Sequence, residues 1–198
     1  MMQTTGKITA DSLMTLEAYA KWRKLHKGEV IAHRKLRSVQ LGEHMRVQFE
    51  SELTMRYQIQ EMLRAERIFE EDGIQAELDA YNPLIPDGSN WKATMLIEYP
   101  DIDERRHALA RLKGIEDRVW VQVEGAARAF AVADEDMERE NEQKTSSVHF
   151  LRFELDEKAR RLLRGGAGLR VGVDHPEYRF EIEAAEQTVA SLLKDLKP

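Results

Sequence analysis

The stretch "MRYQIQEMLRAERIFEED", Met55 to Asp72, holds two glutamates one helical turn apart, Glu66 and Glu70. At about 100° per residue, Met55, Ile59, Met62, Leu63 and Phe69 share one side of a helix. Glu66 falls near the middle of that apolar arc, with Glu70 toward one edge and Gln58 toward the other. A carboxylate buried there needs a partner, because an unpaired buried charge is expensive. Two carboxylates a turn apart can ligate a hard cation or share a proton, and His33 could add a nitrogen ligand. The structural alternative is a buried ion pair, for which Arg152 is a candidate counter-ion. The glutamate-x-x-histidine repeats of di-iron bundles are absent, and His33 in "VIAHRK" has no second ligand beside it. A polar pocket of Gln58, Glu66, Glu70 and Arg152 is therefore expected ahead of a metal site, and no cofactor is predicted.

Charge marks a second kind of site. Lys21, Arg23, Lys24, Lys27, Arg34, Lys35 and Arg37 face only Glu29 in their segment, whereas "DEDMERENE", Asp134 to Glu142, is strongly acidic. Lys21, Lys24, Lys27, Arg34 and Lys35 are candidate partner-docking residues, and the structural alternative is a solvated helix face. "VDHPEY" gathers Asp174, His175 and Glu177, but reads as an exposed hairpin tip. In "RGGAGLRVG" the glycines follow a helix and open a strand, the reverse of a phosphate loop, so Gly165 or Gly166 reads as a helix terminator. "NPLIPDGSN" places Asn82, Asp87, Ser89 and Asn90 in a long loop, read as a capped connection. No Gly-x-Ser-x-Gly elbow occurs.

The 198 residues include no cysteine, which excludes disulfides, thiol nucleophiles and cysteine-held metal clusters. The first residues have no apolar signal core, and no run approaches the roughly 20 apolar residues of a membrane helix, so a cytoplasmic location is expected. A net charge of −6, from 30 basic and 36 acidic residues, argues against general nucleic-acid binding.

The elements that must position these residues follow from periodicity. Residues 9–36 read as helix, capped by Thr9 or Asp11 and broken at Gly28. Val39, Leu41, Met45, Val47 and Phe49 alternate as a hairpin. A three-residue loop, Gly42-Glu43-His44, keeps them on one face by pairing Leu41 with Met45 and Val39 with Val47. The helix bearing Glu66 is capped by Ser51 or Thr54 and expected to run to Gly73. From Trp91 the chain repeats strand, helix and hairpin. The first unit carries the cap Asp101…Glu104, and the second the cap Asp156 and a hairpin pairing Val173 with Tyr178 and Val171 with Phe180. His149 and Arg152 fall on opposite faces of the second unit's first strand.

The expected fold is α+β, one domain over 1–198: a mostly antiparallel sheet built from two β-α-β-β units (91–198), with N-terminal helices and a hairpin (1–90) packed on it. The run from "RYQIQEMLRAERIFEEDGIQAELDAYNPLIPDGSNWKATMLIEYPD", with "KTSSVHFLRFEL" and "GVDHPEYRFE", resembles the bacterial domain-of-unknown-function family 3501. That resemblance implies a setting among rubrerythrin-like di-iron and iron–sulfur redox proteins, and it supplies no catalytic residues. The leading expectation is a non-enzymatic accessory or interaction protein with a protein partner. The rival is an enzyme or small-ligand-binding protein built around Glu66 and Glu70.

Overall fold

The computed structural model describes residues 6–133 and 145–197. The acidic segment Asp134 to Glu142 lies outside the described residues. A short 3-10 turn at Ala10–Ser12 leads into α1 (Leu16–Leu36), capped by the Thr15 hydroxyl, which accepts from the Ala18 amide. α1 runs unbroken through the exposed Gly28, because the cost of about 1 kcal/mol for one glycine in a helix is small against a helix packed along α2. The expected break there does not occur. The hairpin β1 (Ser38–Leu41) and β2 (Met45–Phe49) has the three-residue loop, with Leu41 opposite Met45 and Val39 opposite Val47.

α2 (Glu52–Glu66) starts at a reciprocal Ser51–Thr54 capping box and stops seven residues short of Gly73. Arg67 adopts a left-handed conformation (φ 56°) and ends the helix; a new helix, α3 (Glu71–Tyr81), then carries Gly73 inside its first turn. β3 (Asn90–Ile97), α4 (Ile102–Arg111), β4 (Val119–Val123) and β5 (Arg128–Phe130) form the first repeat unit. β6 (Val148–Glu154), α5 (Glu157–Arg164), β7 (Leu169–His175) and β8 (Tyr178–Glu183) form the second, and α6 (Glu186–Leu192) follows. Asp101 and Asp156 cap α4 and α5 as expected, and Gly165 closes α5.

The two units interleave. Their first strands pair in one antiparallel sheet, ordered β1-β2-β3-β6, and their second strands pair in another, ordered β5-β4-β7-β8. A bridge between Val132 and Arg152 links the two sheets on one side. The odd-numbered residues of both sheets, from Val47, Trp91, Met95 and Phe153 to Val121 and Val171, share one apolar core. A smaller core of Ile8, Met55, Ile59, Leu63, Leu78 and Leu84 lies under the N-terminal helices.

The last hairpin is registered two residues from the expected pairing: Val173 faces Phe180, Val171 faces Ile182, and His175 closes the turn against Tyr178. A two-residue slip keeps every side chain on its own face, so the apolar pattern satisfies either register. The two-residue turn Pro176-Glu177 decides it. His175 is correspondingly buried rather than exposed. Its Nδ1 accepts from the Glu177 amide at 3.2 Å and its Nε2 donates to the Lys113 carbonyl at 3.1 Å.

Candidate functional site

Period-two reading assigns the even-numbered face of β2 and β3 to solvent, since it carries Gln48, Glu50, Lys92 and Thr94. In the folded chain this face is covered by the N-terminal helices, and all of these but Thr94 are buried. Glu50 is only 2% exposed. Its carboxylate accepts from the Thr54 hydroxyl at 2.6 Å and from the Thr94 hydroxyl at 2.7 Å. Beside it Arg37, 1% exposed, forms an ion pair with Asp195 and donates to the carbonyls of Phe49 (3.2 Å), Glu50 (2.7 Å) and Ser191 (3.1 Å). Burial raises the Asp195 carboxyl above the usual carboxylate range, and the Arg37 guanidinium offsets only part of that rise. One arginine thus ties the end of α1, the β2–α2 junction and the C-terminal segment together.

His33 belongs to the same centre. Its Nε2 lies 3.0 Å from the Ser51 hydroxyl, which also accepts from the Thr54 amide at 3.3 Å. Burial, with Arg37 and Lys194 nearby, lowers the His33 pKa to about 4. In the neutral tautomer protonated at Nδ1, the imidazole Nε2 accepts the serine proton, the arrangement of a base beside a hydroxyl. Ser51 is itself buried and its oxygen is committed to capping α2, so the pair here fastens α1 to the start of α2.

The residues expected to form a polar pocket are not gathered. Glu66 is exposed on the last turn of α2, and Glu70 is exposed at the start of α3. The burial expected for Glu66 is corrected: the apolar stripe of Met55, Ile59 and Leu63 ends one turn earlier, where the left-handed Arg67 redirects the chain. Phe69, expected on that stripe, is 69% exposed. The neighbour of Glu66 is another acid, Glu77, whose carboxyl is raised by burial and by the Glu66 charge. Gln58 is half-buried on α2, and Arg152 on β6 pairs with Glu154. Among the described residues no group of three acidic or histidine side chains is placed to hold a metal, and His33 is engaged by Ser51 instead.

A buried polar group that sequence reasoning did not assemble surrounds His149. On the core face of β6, it lies 2.9 Å from the Thr145 hydroxyl, which donates to buried Glu116 at 3.3 Å. The loop at residues 82–90 is a capped connection: Asn82 bonds both main-chain groups of Ile8, and Asp87 accepts from Ser89 and Asn90.

The basic segment lies along α1. Tyr19 and Arg23, on its inner side, both donate to Glu61 of α2, at 2.8 and 2.7 Å. Burial alone would raise Glu61, but Arg23, Arg64 and Tyr19 outweigh it and bring its pKa to about 2. The outward side carries Lys21, Lys24, Gly28, Ala32 and Lys35, all exposed, with Lys27 flanking them and Arg34 half-buried. Two large apolar residues stand among the lysines, Leu25 at 77% and Ile31 at 54% exposure. No described helix is long and apolar enough to cross a membrane.

A crystal structure described as a novel protein of unknown function from Burkholderia pseudomallei K96243 is similar to this chain throughout. The two share 55% identity with a TM-score of 0.92, covering 97% of this chain and 100% of that one. No functionally curated protein matches. The family model described as "Protein of unknown function (DUF3501)" matches residues 7–196, and the chain belongs to that family.

Proposed function

We propose that the protein is an accessory protein that docks an acidic protein partner on the outward side of α1. The observation that carries this reading is the mixture on one helix face of Lys21, Lys24 and Lys35 with exposed Leu25 and Ile31. Scattered lysines solvate a helix, and single exposed apolar residues are ordinary. Two large apolar side chains framed by cations give both a desolvated anchor and a charged rim, which is how protein interfaces are built. The rubrerythrin-like and iron–sulfur redox proteins implied by the family resemblance are the first partners to try.

The test is surface plasmon resonance with such a purified partner at low and high salt. Binding weakens with salt, because exposed charges are screened beyond about 10 Å at 0.1 M. Lys24→Glu with Lys27→Glu mainly slows association, and Leu25→Asp mainly speeds dissociation. Association indifferent to both salt and the lysine reversal overturns the reading.

A further inference from the structure

Among the described residues the outer edge of β8 carries no strand partner. β8 pairs with β7 along its whole length and with no strand on its other side, though Tyr178 bonds the β1–β2 hairpin and the Phe180 ring lies beside Gly42. Five of its six residues, Arg179 to Glu183, are exposed. In the β7–β8 ladder, His175–Tyr178, Val173–Phe180 and Val171–Ile182 alternate with Asp174–Arg179 and Gly172–Glu181. The tight turn makes Tyr178, Phe180 and Ile182 the residues bonded to β7. The amides and carbonyls of Arg179, Glu181 and Glu183 then point outward from the sheet.

Free edges are normally blunted by proline, lysine, a bulge or an inward-pointing charge. "YRFEIE" has no proline, lysine or inward-pointing charge: its charged residues Arg179, Glu181 and Glu183 stand on the outer face, and its inward positions are Tyr178, Phe180 and Ile182. Phe180 and Ile182 lie on the core side of the sheet yet remain 44% and 46% exposed, because the sheet ends before it covers them. Of the other edge strands, β1 is shorter and its Leu41 carbonyl is taken by Tyr178, β5 has three residues, and β6 is bridged by Val132.

We propose that β8 pairs antiparallel with β8 of a second copy of this chain, about a two-fold axis through Phe180. The sequence is self-complementary in that register. Arg179 of each copy faces Glu181 of the other, and these are the residues whose main-chain groups point outward, so they exchange the ladder bonds. Phe180 faces its own symmetry mate, and Tyr178 faces Ile182, so the half-exposed Phe180 and Ile182 each gain an apolar neighbour across the axis. The neighbouring register, centred on Glu181, sets two glutamates opposite each other and is disfavoured. Arg179 already bonds Asp174 at 2.7 Å within its own copy, which holds its guanidinium over the outer face where the partner's glutamate arrives. The pairing involves no residue of α1.

Sedimentation velocity on the full chain over a range of concentrations tests it. The wild type is a dimer. Arg179→Glu alone and Glu181→Arg alone each place like charges opposite one another twice through the axis, and each weakens the dimer about tenfold or more while the circular dichroism spectrum is unchanged. The double swap, Arg179→Glu with Glu181→Arg, restores pairing only in the register centred on Phe180. A monomeric wild type overturns the proposal, as do dimeric single variants or a double swap that stays dissociated. Should either single variant lose its native spectrum, Phe180→Lys supplies the same test, with dissociation expected and a persistent dimer overturning.

Discussion

The Tyr178 hydroxyl donates a 2.6 Å hydrogen bond to the Leu41 carbonyl and accepts one from the His44 amide at 3.1 Å, joining the last hairpin of one sheet to the first hairpin of the other. The Val132–Arg152 bridge links the sheets on one side, and this phenol links them on the other. Tyr178→Phe keeps the ring and leaves a buried carbonyl and amide without their partner. A loss of about 1–3 kcal/mol is expected in urea unfolding, since buried unsatisfied groups cost that much. An unchanged midpoint would remove the hydroxyl from the account of how the sheets are held.

Arg37→Met is expected to be the most damaging single change. It leaves Asp195, whose side chain is only 12% exposed, without its cation and strips donors from three carbonyls. Breaking a buried pair from one side costs about 3–5 kcal/mol. Adding Asp195→Leu removes the orphaned charge, so the double variant is expected to be more stable than Arg37→Met alone in the same unfolding assay.

His33 supplies a pH dependence. Its pKa falls from 6.5 when unfolded to about 4 in the fold, so between these values the unfolded chain binds the proton more readily. Its stabilising contribution is complete above pH 6.5 and lost as pH falls toward 4. His33→Gln is expected to flatten this part of the stability profile, measured as the wild-type-minus-variant difference at pH 7 and pH 4.5. A difference that stays constant across that window would show that another group carries the slope.

Two glycines make a contrasting pair. A Cβ on Gly172 would lie 2.3 Å from the Trp120 ring, over which the Arg128 guanidinium stacks 3.9 Å from the centroid. Gly172→Ala is expected to cost about 1–3 kcal/mol, as overpacking does. Gly28 meets nothing within 4 Å in the middle of α1, and Gly28→Ala is expected to stabilise by about 0.5–1 kcal/mol. Thermal unfolding of both variants checks the signs.

Alternation and caps made the strands legible. The three-residue loop after Leu41 follows from keeping five odd-numbered residues on one face, and Ser51, Asp101 and Asp156 cap helices where their neighbours suggest. Two kinds of information were not local. Arg67 takes a left-handed conformation that no glycine announces, so a helical phase extended to Phe69 and Glu70 runs past the real end of α2, whose last residue is Glu66. Glu50, Gln48 and Lys92 sit at polar positions of alternating strands, and alternation cannot tell a solvated face from one roofed by helices. The covering elements, α1, α2 and the C-terminal residues around Asp195, come from both ends of the chain. The signal available was Arg37 and Glu50 flanking the first hairpin with charges at its base.

The exchange of strands between the two repeat units has a kinetic consequence. Neither unit closes a sheet alone: β3 waits for β6 and β4 waits for β7, partners roughly fifty residues further along the chain. Half the repeat therefore gains few of its eventual contacts, and loop-closure entropy is spent on both sheets before either is complete. As the chain leaves the ribosome, β3 and β4 present bare edges until the second unit emerges. Neither sheet can be completed before β6 and β7 have been made, and β8 is the last strand to be synthesised.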